Sequence, residues 1–167
     1  YISSEDEFAA IEEWNNPYFL SQIEGIKFIL SNLKENKDIF FYIRIHPNLK
    51  GLKNSQIRDL NAMEFENVKI IQADDPINSY YFMDQCEKTI TFGSTVGAES
   101  VYAGRPSILV GRTFYEDFEG ITRPRDKFHL IELIKDRLPS PSQEGVLPFA
   151  FWLSTMGINF EYFKPKT

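Results

Sequence analysis

The chain has one cysteine, Cys86, and two histidines, His46 and His129, among 167 residues. One thiol forms no internal disulfide, so the expected compartment is a reducing one, the cytoplasm. With so few soft ligands, no His/Cys/Asp/Glu spacing suggests zinc, and no metal is expected. Basic residues are also short, 18 against 24 acidic, for a net charge of −6. Such a surface is repelled by nucleic acid and by anionic membranes, and nucleic acid is discounted as a partner. No run of about 18 apolar residues occurs and no signal peptide is visible, so no transmembrane segment is expected. The GK[ST] ending of a Walker loop and the dinucleotide fingerprint G-x-G-x-x-G are both missing. There is no internal repeat and no low-complexity linker.

What is present suits one globular domain over residues 1–167. Apolar residues make up 43 %, close to the globular norm, and the length is enough for a core without a staple. The aromatic share is high, with 15 Phe and 8 Tyr, and core burial is its first explanation. Strand-like and helix-like segments alternate, which argues for βαβ units and an α/β, Rossmann-like, three-layer αβα fold with a mainly parallel sheet. Ile2 lies in a short extended start. Pro17 opens a helix running to about Asn32 or Lys34, and Asp38 to Ile45 is a near-continuous apolar strand stopped by Pro47. A helix follows over 54–64, then a strand over 67–72, and Pro76 opens a short helix from Ile77 to Gln85. Further strands are expected at 88–92 and 106–110, with a helix capped by Ser94 or Thr95 between them and closed by Gly104. A helix over 126–137 and a closing helix over 147–163 complete the chain. If a partner domain covers that last helix, its Phe and Trp side chains stand exposed without it. The chain starts at Tyr1 rather than Met, and the expectation is a fragment whose N-terminal domain is absent.

Three polar clusters fall at the C-terminal ends of expected strands, the edge where open α/β sheets bind ligands. In the first, alternation puts Arg44 and His46 on one side of a strand end, a guanidinium beside an imidazole, suited to a diphosphate. His46 is the expected catalytic residue, donating a proton or a hydrogen bond to a leaving phosphate. In the second, a strand runs into Gly93, then Ser94 and Thr95, then a helix. Free amides at such a start attract phosphate, and Gly93 lets the backbone approach the anion. Glu99, one turn on, could accept hydrogen bonds from ribose hydroxyls. In the third, Ser79 or Tyr80 could contact base or ribose, while Asp74 and Asp75 are better explained by capping than by a metal. Ser3, Ser4 and Glu5 after the first strand, and Arg112 and Tyr115 after the last, could line the cleft. His129 is read as surface or packing. The whole reading needs an anion held where two neighbouring strands end, between His46 and a helix start.

The series Ser3-Ser4-Glu5-Asp6-Glu7-Phe8, Arg44-Ile45-His46-Pro47-Asn48, Thr91 through Glu99 and Gly104-Arg105-Pro106-Ser107 resembles the C-terminal half of bacterial capsule and surface-polysaccharide biosynthesis proteins. Those proteins are similar to GT-B glycosyltransferases, in which two Rossmann-like domains face each other and the C-terminal one holds the nucleotide sugar. The resemblance implies a CMP- or UDP-linked sugar as substrate, no separate cofactor, and a glycan acceptor bound through the N-terminal domain. It implies phosphate contacts from His46-Pro47 and Ser94-Thr95 and ribose contacts from Glu99. It also implies peripheral association with membrane assembly machinery, and an isolated chain that turns over little or nothing. The same scaffold serves UDP-sugar 2-epimerases and CDP-glycerol transferases, so these stay open as alternatives, as does a non-catalytic nucleotide-binding module.

Overall fold

A computed structural model describes residues 1–5, 14–52 and 55–157. Expectations for Asp6, Glu7, Phe8, Asn54 and the end of the closing helix at 158–163 lie outside the described residues.

Helix α1 spans Gln22–Leu33. The Ser21 hydroxyl caps it, accepting the Glu24 amide at 3.0 Å. Pro17 therefore lies outside the helix rather than at its start. The Asn16 carboxamide takes the Tyr18 and Phe19 amides at 2.8 and 3.0 Å and holds that stretch in a separate turn. Ile23, Ile26, Ile29, Leu30 and Leu33 recur at helical spacing and are all buried.

Strand β1 (Phe41–Arg44) pairs in parallel with β2 (Val68–Ile71), matching Phe41 to Val68 and Arg44 to Ile71. A 3-10 turn at Pro47–Leu49 and helix α2 (Ser55–Asn61) connect them. Helix α3 (Ser79–Gln85) then leads to β3 (Thr89–Thr91). Helix α4 (Val96–Tyr102) joins β3 to β4 (Ser107–Leu109), and β4 pairs with both β3 and the two-residue strand β5 (Ile121–Thr122), again in parallel. Helix α5 (Lys127–Lys135) is capped by Asp126, a 3-10 turn covers Gln143–Val146, and α6 spans Leu147–Thr155. The strands are shorter than the apolar runs that mark them, because pairing begins only at Phe41 and at Thr89. Helix α3 starts at Ser79 rather than Ile77. Its cap is Asn78, whose side chain accepts the Tyr80 amide at 2.8 Å, while Asp75 instead closes a turn onto the Ile77 amide at 3.0 Å.

The Tyr1–Ile2 segment joins the two half-sheets. Ile2 bridges Ile45 in parallel and donates its amide to Arg44 O at 3.3 Å, while the Tyr1 nitrogen donates to Ile90 O at 2.8 Å. The resulting order is β2, β1, Tyr1–Ile2, β3, β4, β5, a doubly wound, Rossmann-like arrangement whose order reverses beside the first segment. β1 and β3 are thus not neighbours, as the sequence reading required, but flank one intervening strand.

Helices cover both faces. Side chains alternate along β4: Ile108 and Val110 pack with α1 and α5, whereas Leu109 packs with Val101 of α4 and Phe149 of α6. Each fully buried aliphatic side chain contributes about 1.5–3 kcal/mol, so the larger cluster, from Ile2 to Ile134, dominates stability. On α6 only Phe149 is buried, and Phe151, Trp152 and Leu153, with Met156 just past its end, stand exposed. No helix among the described residues is long and apolar enough to cross a membrane.

Candidate functional site

The C-terminal edge of the sheet gathers the ends of Tyr1–Ile2, β1 and β3. The β3 end carries the most open backbone. Gly93 has φ 141°, a left-handed conformation that favours glycine. The amides of Gly93, Ser94 and Thr95 have no hydrogen-bond partner among the described residues. The next ones are taken: Val96 N meets Ser94 Oγ at 3.4 Å, Gly97 N donates to Ser94 O at 3.0 Å and Ala98 N to Thr95 O at 3.0 Å. Ser94 is therefore the residue whose hydroxyl meets the helix start, and Thr95 makes no cap bond. Thr95 instead donates its hydroxyl to Glu99 Oε1 at 3.1 Å.

Tyr80, reaching from α3, lies beside Glu99 of α4. The Glu99 charge, then partial burial and a hydrogen bond to Glu99, raise the Tyr80 hydroxyl above its ordinary value. Two expected ribose- or base-binding residues thus stand together, with Tyr80 57 % exposed. Ser79 is nearby, its carbonyl accepting the Tyr1 hydroxyl at 2.7 Å.

At the β1 end, His46 caps the 3-10 turn: Nδ1 accepts the Asn48 amide at 3.1 Å. An accepting Nδ1 leaves the proton of a neutral imidazole on Nε2. The half-buried ring therefore keeps Nε2 as its donor.

Arg44 does not stand beside it as an open cation. Its side chain is buried beneath the loop after β2, where Nη1 donates to Gln72 O at 2.5 Å and Nη2 to Asp75 O at 3.1 Å, with Ile77 O at 3.5 Å. The guanidinium fork satisfies loop carbonyls that Pro76 keeps out of helical pairing. Arg44 is thus a scaffold residue.

Tyr115 is likewise corrected. It is fully buried, packs on Phe149, and donates its hydroxyl to the Ser94 carbonyl with Thr91 Oγ1 at 3.3 Å. Burial, before any neighbour, raises that hydroxyl above the ordinary tyrosine range. It supports the loop from beneath rather than lining a cleft. Gly97 sits over it, where a Cβ would overlap the Tyr115 hydroxyl.

Ser3 is buried, its backbone held by the Gln22 and Gln56 carboxamides. Glu5 accepts the Gln22 amide at 2.7 Å and the Ile23 amide at 3.4 Å, a dipole-matched cap for α1. Ser4 alone of that trio is left half-exposed without a hydrogen bond among the described residues. Arg112 grips Glu116 through Nε, at 2.9 and 2.7 Å to the two carboxylate oxygens, with 42 % of its side chain exposed. Its loop is pinned to the β3 end because a Cβ on Gly111 would overlap the Phe92 carbonyl, so only glycine fits. His129 accepts from Arg125, a local contact in α5. No cluster of three or more potential metal ligands occurs among the described residues.

The sequence reading missed the Asn48 contact of His46 and the Tyr115 prop. Pro47 was the signal for the first, since a proline after a strand forces a turn whose next amide needs an acceptor.

Comparison with curated proteins gives no significant match, and neither does comparison with solved structures. The model of one family, described as capsule polysaccharide biosynthesis protein, matches residues 15–139, well over half of the chain and most of the α/β framework. The chain belongs to the capsule polysaccharide biosynthesis protein family.

Proposed function

We propose that the chain is the donor-binding half of a GT-B-type glycosyltransferase, taking a CMP- or UDP-linked sugar for capsule synthesis. The observation that carries this is the run of three unpartnered amides at Gly93, Ser94 and Thr95, beside the point where the strand order reverses. Backbone donors already fixed in place stabilise charge that grows on a leaving phosphate. His46 supports the reading from the other side of the central strand. Two strand spacings, about 10 Å, separate the β1 and β3 backbones, room for the one or two phosphates of such a donor between the imidazole and the amides. Tyr80 and Glu99 stand together near the amides and would take the ribose attached to those phosphates. The acceptor and the base that activates it come from a second domain, and the setting is the cytoplasmic face of the membrane, where capsule assembly machinery docks. Arg44 is left out of the phosphate set.

Calorimetry with CMP, UDP and CDP tests this. We expect one nucleotide to bind and His46→Ala to weaken it about tenfold, the loss of one hydrogen bond to a charged group. Absence of binding by all three would sink the proposal.

A further inference from the structure

Arg112 is a cation that the donor-phosphate reading leaves unused. Its Nε donates to both carboxylate oxygens of Glu116, while its Nη1 and Nη2 have no partner among the described residues. Glu116 is fixed in turn. Its side chain is almost buried, Oε2 accepts the Thr113 amide at 3.0 Å, and Arg123 Nη1 lies 3.6 Å from Oε1. The Arg112 guanidinium is thus held by its root, with the fork of its two terminal nitrogens free. Such a fork matches the paired oxygens of a carboxylate or a phosphate. Because it is already oriented, little freedom is lost on binding.

The loop that carries Arg112 leaves β4 at the C-terminal edge of the sheet, one strand from the open amides. Gly111 lies against the Phe92 carbonyl, so Arg112 sets out beside Gly93. Two residues on, Phe114 is 60 % exposed. Its ring meets those of Trp14 at 4.7 Å and Trp152 at 5.2 Å. Three separate segments thus gather aromatic rings around a residue that is itself turned to solvent, and core burial does not account for Phe114. The negative face of an aromatic ring attracts polarised C–H groups, such as line one face of a pyranose. A phosphate offers no such groups, so the rings select a sugar.

We propose that Arg112 and the ring cluster at Phe114 form a subsite for an acidic sugar, the fork taking the carboxylate and the rings carrying the pyranose. Glu116 is the positioning residue that keeps the fork in place. The proposal rests on the sugar-transfer reading for the source of the acid, which is either the sugar of the donor or a residue of the acceptor glycan.

The test titrates the chain with methyl glucuronide, methyl glucoside and inorganic phosphate, following the Arg112 Nε–Hε resonance and tryptophan fluorescence. We expect the glucuronide to move both signals, the glucoside to bind at least tenfold more weakly, and phosphate to move only the arginine signal. Arg112→Lys keeps the charge without the fork and should erase the preference for the acid, whereas Phe114→Ala should weaken both sugars and preserve it. Glu116→Gln removes a negative charge and would strengthen a merely electrostatic site; here it should weaken glucuronide binding and leave the glucoside unchanged. Equal binding of the two glycosides, binding of neither, or a glucuronide that is silent in fluorescence and no better than phosphate would overturn the proposal. UDP-glucuronic acid against UDP-glucose separates the two sources. A preference for the acid in the nucleotide-linked form puts the carboxylate on the donor, and a preference with free glycosides alone, undisturbed by bound UDP, puts it on the acceptor. The glycoside titration uses no nucleotide, so its failure and that of the donor-binding reading are told apart.

Discussion

Tyr115 donates its hydroxyl to the carbonyl of Ser94, tying a fully buried ring to the loop whose amides lie open. The loop is therefore propped from the core side, and its outward geometry depends on a residue that never reaches solvent.

Tyr115→Phe tests that dependence. The ring and its packing on Phe149 stay, and only the bond to Ser94 goes. Ser94 O keeps the Gly97 amide, so the cost is that of one lost hydrogen bond, about 1 kcal/mol, which lowers the thermal midpoint by about 2–4 °C. If the prop sets the loop, nucleotide affinity falls as well, by roughly tenfold on calorimetry. An unchanged midpoint would show the hydroxyl to be idle.

Arg44→Lys separates a scaffold cation from a ligand-binding one. A lysine keeps the charge but cannot fork between the Gln72 and Asp75 carbonyls. We expect a loss of about 2–3 kcal/mol in urea unfolding, with nucleotide affinity of the folded protein within about threefold of wild type. A collapse of affinity at full stability would return Arg44 to the phosphate set.

Glu116 gives a pH signature. Burial alone would raise its carboxyl, but the Arg112 hydrogen bonds, the Thr113 amide and Arg123 outweigh it and hold the group below the ordinary carboxylate range. A depressed folded value adds stability above the unfolded pKa and loses it as pH falls through the folded one. Glu116→Gln should therefore cost about 1 kcal/mol near neutrality, the figure being kept low because both arginines are over a third solvent-exposed or close to it. That difference should start to shrink as pH falls below the ordinary glutamate value of about 4.3, and vanish only below the depressed folded value, in unfolding curves taken across pH.

Much of the framework could be read in advance, because apolar runs bounded by Pro and Gly mark buried parallel strands and α1 shows a clear helical stripe. What escaped has physical causes. β5 is two residues long, too short for any periodicity. Alternation pointed to Arg44 beside His46, but could not show the loop that folds over Arg44, since that loop is placed by tertiary packing. Tyr115 follows a strand end, as cleft residues do, and only the turn after Gly111 sends it inward. The open turn at Gly93, Ser94 and Thr95 was legible because a strand, a glycine and a helix start come in immediate succession. The partnership of Tyr80 with Glu99 was not, because it joins two helices distant in sequence.

The Tyr1–Ile2 strand has a kinetic consequence. It leads the sequence yet sits at the centre of the sheet, and one of its bonds spans 89 residues. Contacts of such separation must wait for costly loop closure, so each half-sheet can assemble from nearer neighbours before the leading strand welds them. The weld comes late, and a lesion there should slow refolding more than an equally destabilising lesion within either half.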